Sequence, residues 1–130
     1  MRYISTRSHN SSSNSNFSKV IMEGLSADGG LYIPQKIPTF SSSELENMVN
    51  MNYTELCAEV IFKYCGTCFT KEDIKNIAID SYKNFGKNEI APMVNVSDNI
   101  DILELFHGPT LAFKDFALQF LSRVFNTLLG

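Results

Sequence analysis

The sequence predicts an α/β fold, in which a mainly helical first part, residues 1–90, precedes a strand, a turn and a helix in residues 91–130. Start signals of helices recur after residue 40, each followed by apolar residues at three- and four-residue spacing. An apolar run over residues 102–106 indicates a short, largely buried strand. A second helical pattern follows this run and continues to the end of the chain, which completes the mixed architecture.

The first forty residues predict short elements. Residues 2–6 are expected to form an edge strand, and residues 31–33 a second brief strand before a proline. Between them, apolar spacing predicts a short helix that begins near Phe17 and stops at Gly24. The polar stretch over residues 9–16 has too little apolar surface to pack and is expected to be a mobile loop.

Three helices are predicted next, because three residue pairs have the spacing of a capping box. The pairs are Ser43 and Glu46, Asn52 and Glu55, and Thr70 and Asp73. Glycines at positions 66 and 86 are expected to end the second and third helices. Because each helix has one apolar face, the three are expected to pack together as a small bundle.

The last predicted unit places a lysine at the start of a helix. Gly and Pro mark residues 107–110 as a turn, and helical spacing begins at Thr110, so Lys114 is expected in the first helical turn between Phe113 and Phe116. The positive end of the helix dipole and an apolar environment both favour a free amine, which can attack an aldehyde. The alternative is an ordinary lysine whose charge reaches water past the two rings.

Composition excludes several functional classes. The chain has 130 residues, a net charge of -3 and 44% hydrophobic residues, which is typical of one soluble globular domain. It has no basic excess for nucleic acid, no apolar run that could cross a membrane and no secretory signal, so a cytoplasmic location is expected. Cys65 and Cys68 have C-x-x-C spacing, but no second pair completes a zinc site, so we expect free thiols and no metal.

Three segments together carry a family resemblance. They are residues 104–115 (ELFHGPTLAFKD), residues 3–7 (YISTR) and residues 28–34 (DGGLYIP). On local grounds alone, the last of these indicates a tight turn rather than a ligand contact. All three resemble segments of threonine synthases, and the resemblance implies the first part of a fold-type II pyridoxal-phosphate enzyme. In that family the lysine that follows the phenylalanine holds the cofactor, and the matching residue here is Lys114.

The resemblance implies threonine biosynthesis, in which a lyase uses pyridoxal 5'-phosphate to convert O-phosphohomoserine and water to threonine and phosphate. Lys114 would be the catalytic and the cofactor-binding residue. Asp115 is expected to compensate the helix dipole. His107 is expected to be a turn residue bonded to the backbone rather than a contact of the cofactor.

The family's proteins are several times longer, and a strand followed by a helix needs a parallel partner strand that this sequence does not contain. We therefore expect an incomplete fold, with a subdomain over residues 1–90 and a truncated catalytic domain over residues 91–130 that lacks the phosphate-binding loop. The 130 residues alone are then expected to be inactive. Three alternatives stay open: a non-catalytic remnant, a piece that docks on a separate C-terminal half or self-associates through its last helix, and a related pyridoxal-phosphate phospho-lyase.

Overall fold

Helices and two small antiparallel sheets make up the parts of the chain that this computed structural model describes, residues 1–8, 15–86 and 89–130. In chain order the elements are β1 (Tyr3–Ser5), α1 (Phe17–Glu23), β2 (Tyr32–Pro34), α2 (Ser42–Met48), α3 (Tyr53–Cys65), α4 (Lys71–Tyr82), β3 (Met93–Ser97), β4 (Ile100–Leu103) and α5 (Asp115–Leu129). The predicted α/β class is confirmed. The loop expected over residues 9–16 lies outside the described residues, except for its last two positions.

The starts of α3 and α4 follow the predicted capping boxes. At α3 the Asn52 side chain accepts the Glu55 N–H, and the Glu55 carboxylate accepts the Asn52 N–H. Thr70 and Asp73 form the same reciprocal pair at α4. These bonds satisfy backbone donors that a helix start leaves unpaired, and such a cap contributes about 1 kcal/mol.

The predicted start of α2 is wrong by two residues. Its capping box is formed by Ser41 and Glu44, whereas the sequence pattern favoured Ser43. Both serines have a glutamate three residues later, so spacing alone does not separate them. A contact distant in sequence favours the earlier start, because Lys63 Nζ of α3 donates to Glu44 Oε1 at 2.7 Å.

Replacing Glu44 with Gln is expected to reduce the loss of folding stability that occurs as pH falls. Hydrogen bonds from the Lys63 ammonium and the Ser41 N–H lower the pKa of Glu44 from 4.5 to about 2. A carboxylate with a lowered folded-state pKa adds stability above its unfolded value, and that stability is lost as pH falls from 4.5 towards 2. Thermal unfolding midpoints measured across this range should fall more steeply in the wild type than in Glu44→Gln. Glu46→Gln, an exposed change on the same helix, is the control, and equal slopes in all three proteins would contradict the prediction.

The core lies where α3, α4 and α5 meet. Ala58, Ile74, Ile77 and Val124 from these three helices are buried against one another. Beside them, rings from these helices and Phe85, three residues after α4, form an aromatic cluster of Tyr53, Tyr82, Phe85 and Phe116, with centroids as close as 5.0 Å. The last helix therefore shares one core with the helical bundle. The boundary at residue 91 between two subdomains stays a prediction.

Polar contacts also fix α5 on α4. Arg123 Nε donates to Asp80 Oδ2 at 2.8 Å, and the Tyr82 hydroxyl donates to the Phe116 carbonyl at 3.0 Å. Burial is the main cause that raises the pKa of Tyr82, so this hydroxyl stays a donor. The helix that follows Lys114 is thus attached to a packed scaffold along its length.

The first sheet joins the two N-terminal segments that carry the family resemblance. β1 pairs with β2 in antiparallel register, Ser5 opposite Tyr32. Ser5 Oγ donates to Asp28 Oδ1 at 2.7 Å and accepts the Arg7 N–H at 3.1 Å. Asp28 Oδ1 also accepts the Gly30 N–H at 2.9 Å. The predicted tight turn over residues 28–30 is confirmed, and its carboxylate links the turn to β1.

The second sheet is a hairpin that differs from the predicted buried strand. β3 and β4 pair in antiparallel register, with Met93 opposite Leu103, and every residue of both strands is exposed. The prediction over residues 102–106 is wrong in its bounds and in its burial. The apolar run satisfies its backbone by pairing with β3, and nothing within the described residues covers either face of the hairpin.

Candidate active site around Lys114

Lys114 is the N-cap residue of α5, directly before the first helical residue. The helical start predicted at Thr110 is therefore wrong by five residues, since residues 108–114 form consecutive turns and bends. Leu111 explains the difference, because its φ of 61° is left-handed and incompatible with a right-handed helix. The chain thus needs a folded connection of eleven residues, 104–114, between β4 and α5.

The Lys114 side chain is exposed, and its amine forms no hydrogen bond or ion pair with the residues the structure describes. The two rings expected to enclose it lie in different environments. Phe116 packs into the aromatic cluster, whereas Phe113 is 65% exposed. The apolar enclosure expected around the lysine is not formed by residues 1–8, 15–86 and 89–130. An amine without an ion-pair partner is nevertheless open to attack on an aldehyde.

Asp115, which was expected to compensate the helix dipole, lies in the interior of the turn. It is 3% exposed, the most deeply buried carboxylate among the described residues. Its Oδ2 accepts the Thr110 N–H and its Oδ1 accepts the Thr110 hydroxyl, both at 2.8 Å. Burial disfavours the charge, but these bonds and one from the Ala112 N–H outweigh it and lower the pKa of Asp115. The Asp115 carboxylate therefore does more than compensate the helix dipole, because it also holds the turn together through its bonds to Thr110.

Gly108 is fitted to this carboxylate. A Cβ added there would lie 2.5 Å from both Cβ and Oδ2 of Asp115, closer than real Cβ contacts. The buried carboxylate thus requires glycine at this turn position. Sequence reasoning missed the Thr110–Asp115 pair because its five-residue separation matches no capping box. The one available signal was the glycine at position 108, which leaves room for a neighbouring side chain.

His107 has contacts through both its backbone and its ring. Its carbonyl accepts the Gly86 N–H at 2.8 Å, as expected for a turn residue bonded to the backbone. Its ring Nε2 lies 2.5 Å from Glu104 Oε2, a side-chain partner that the sequence did not reveal. The first contact attaches residues 104–114 to the segment that follows α4, and the second joins two residues within 104–114.

The C-x-x-C pair lies apart from this turn, at the end of α3. Cys65 is buried in the helical core and Cys68 is half-buried, and both are free thiols. Burial is the main cause that raises the pKa of Cys65, which opposes formation of a reactive thiolate. Within residues 1–8, 15–86 and 89–130, no group of three His, Cys, Asp or Glu side chains could hold a metal ion. In the same ranges no helix is long and apolar enough to span a bilayer.

Comparison with known proteins identifies the family. The family profile described as "Threonine synthase N terminus" matches residues 2–82. Threonine synthase of Pseudomonas aeruginosa is 42% identical over 130 residues, which cover 100% of this chain and 27% of that protein. The Schizosaccharomyces pombe enzyme is 38% identical over 128 residues, which cover 98% of this chain and 24% of that protein.

Solved structures agree with the sequence relatives. The chain superposes on pyridoxal-phosphate-bound threonine synthase from Brucella melitensis with a TM-score of 0.92 and 36% identity, covering 99% of this chain and 27% of that one. For the yeast threonine synthase the TM-score is 0.90 and the identity 39%, covering 98% of this chain and 26% of that one. The chain spans about a quarter of the length of these threonine synthases. With most of its length matched in both sequence and structure, this chain belongs to the threonine synthase family.

Proposed function

We propose that this chain is the N-terminal, lysine-bearing part of a pyridoxal-phosphate-dependent threonine synthase. The reaction would convert O-phosphohomoserine and water to threonine and phosphate. Family membership supports a role in threonine biosynthesis. The observation that carries the proposal is the exposed Lys114 amine, which has no ion-pair partner among the described residues and follows a turn fixed by buried groups.

The residues present fit one end of the cofactor. Lys114 Nζ would hold the aldehyde carbon of pyridoxal 5'-phosphate covalently, and the amine is available for this because no described residue engages it. The cofactor, when bound, supplies an electron sink that stabilises carbanions of an amino-acid substrate. Once substrate has displaced it, the Lys114 amine would carry protons as a general base. His107 is held by Glu104 and Gly86, so we assign it to the turn rather than to the chemistry.

Residues beyond Lys114 offer no phosphate site. Residues 115–130 form α5 and its C-cap Gly130, and they contain no glycine- and serine-rich loop that could direct backbone N–H groups at an anion. We therefore propose that the phosphate site and most of the substrate pocket are contributed by a further catalytic part, in the same polypeptide or as a separate C-terminal half. The 130 residues alone would then be inactive.

Exposed apolar surface in residues 91–130 supports a further catalytic part. Ile102 on β4 is 50% exposed, and Leu118 and Leu129 on α5 are 54% and 69% exposed. Burial of a large apolar side chain is worth about 1.5–3 kcal/mol, so covering these positions would stabilise the assembly. Residues 91–130 are thus proposed as the start of the catalytic domain. The free thiols fit a reducing compartment, and we propose the cytoplasm.

The proposal is tested on the native gene product with pyridoxal phosphate and O-phosphohomoserine. We expect visible absorbance from the covalently held cofactor and, after borohydride reduction, a pyridoxyl group on Lys114 by mass spectrometry. Threonine and phosphate should appear in equal amounts. Labelling at Lys83 instead would overturn the site. Phosphate release without threonine would indicate a related phospho-lyase, and absence of both cofactor and turnover would indicate a non-catalytic remnant.

A further inference from the structure

Burial changes abruptly between neighbouring residues at the start of α5. Leu111, Phe113 and Lys114 are exposed, and the first of these is 73% exposed. Asp115, the next residue, is 3% exposed and carries a charge that would be costly there without partners. Thr110 supplies two donors to the carboxylate. The carboxylate is also bonded by the Ala112 N–H and the Gln119 side chain, so most partners of this buried charge come from the turn that contains Lys114.

The bonds of Asp115 close the backbone into a ring that contains Lys114. The carboxylate binds Thr110 at one end, and the Asp115 N–H donates to the Ala112 carbonyl at 3.0 Å. A further bond connects the ring to the preceding turn, since the Leu111 N–H donates to the Gly108 carbonyl at 3.0 Å, and Leu111 itself has a left-handed backbone conformation. Such a conformation costs about 1–2 kcal/mol and persists only where surrounding contacts enforce it. The ring therefore fixes the Lys114 backbone while its side chain stays free.

Another threonine–aspartate pair in the chain shows that these bonds are more than a helix cap. Asp73 accepts the Thr70 N–H and the Thr70 hydroxyl, the same two donors, but it is exposed and its bonds form an ordinary capping box. At α5 the carboxylate is buried instead, and its bonds reach back across five residues to the preceding turn. The pair at α4 secures a helix start, whereas the pair at α5 secures the residues around one lysine.

We propose that Asp115 is a positioning residue for Lys114. By closing the turn through Thr110, its carboxylate holds the Lys114 backbone in one place, so that the lysine side chain always starts from the same point and direction. This inference rests on the proposed function of Lys114. Catalysis is sensitive to such placement, since a displacement of about 1 Å can cost about 100-fold in rate.

The test compares four variants of the native gene product. Asp115→Asn places amide hydrogens against the Thr110 donors, and Thr110→Val removes the hydroxyl while keeping the side-chain shape. Thr110→Ser keeps both donors and should restore wild-type behaviour. Asp73→Asn is the matched control, because it disturbs the same type of pair at a distant helix. Each protein is scored by its apo melting temperature, by the visible spectrum of bound pyridoxal phosphate across pH, and by borohydride labelling of Lys114.

We expect Asp115→Asn and Thr110→Val to lower cofactor fixation on Lys114 by about 10- to 100-fold and to shift the pH dependence of the spectrum. Asp73→Asn should lower the melting temperature but leave both the cofactor fixation on Lys114 and the pH dependence of the spectrum unchanged. If Asp115→Asn matches Asp73→Asn, losing stability but keeping fixation and spectrum, positioning is overturned while the role of Lys114 stands. If Asp115→Asn does not fold, Thr110→Val decides by the same criteria. A wild type that fixes no cofactor on Lys114 overturns the proposed function and this inference with it.

Discussion

Lys114→Ala is expected to abolish cofactor fixation and to lower threonine formation by about 1,000-fold or more in the native gene product, since the covalent anchor and the general base that we propose for Lys114 would both be lost. The exposed amine has no structural partner among the described residues, so the fold should not suffer. Visible spectroscopy and steady-state kinetics measure the two losses, and the melting temperature of the apo protein checks the fold.

Two further lysine variants make this result specific. Lys114→Arg keeps the charge but cannot form the covalent link, so it should fail as completely as alanine. Lys83→Ala removes a lysine that instead pairs with Asp80 at the end of α4, and it should keep full activity. Substantial turnover in Lys114→Arg, or its loss in Lys83→Ala, would contradict the assignment.

Gly30→Ala is expected to destabilise the fold by about 1–3 kcal/mol or more, as overpacking of a tight site does. An added Cβ would overlap Ser5 Oγ and lie 3.0 Å from Asp28 Oδ1 and 3.1 Å from the Arg7 nitrogen. To make room, Ser5 would have to leave the bonds that connect β1 with the turn before β2. Urea unfolding followed by circular dichroism gives the change in the free energy of unfolding.

Gly86→Ala is the control for this substitution. Among the described residues, a Cβ at Gly86 would meet the His107 carbonyl oxygen alone, at an ordinary contact distance of 3.8 Å, and the backbone N–H would keep its hydrogen bond. We expect a change within about 0.5 kcal/mol. If both alanine variants unfold at the same urea concentration, the steric role assigned to Gly30 is wrong.

Local chemistry explains which elements the sequence predicted. The starts of α3 and α4 were found because Asn52 and Thr70 cap their own helices through residues three positions away. The end of α1 was found because Gly24 has a φ of 70°, which glycine adopts without strain. The position of Lys114 near the start of the last helix followed from apolar spacing, and the structure moves it only to the N-cap.

Contacts between distant residues explain what the sequence did not predict. The start of α2 depends on Lys63, nineteen positions from Glu44. The burial of Asp115 depends on a turn that Leu111 shapes with a left-handed backbone, which no residue preference indicates. β4 was expected to be buried because apolar runs usually are, but none of the described residues covers it, and its side chains are exposed. Residues close in sequence determine where helices begin and end, whereas contacts between residues distant in sequence determine which side chains are buried.

The exposed hairpin β3–β4 has a consequence for the order of folding during synthesis. The contacts of α3 with α4 join residues near in sequence, so these two helices can pair early in synthesis, before α5 adds its part of the core. The hairpin emerges later, and two strands alone are at best marginally stable in water. Until some surface covers them, their unpaired edges can template pairing with other nascent chains. The yield of folded protein should therefore depend on the supply of chaperones, and the segment that needs them should be the hairpin, residues 93–103, rather than the helices.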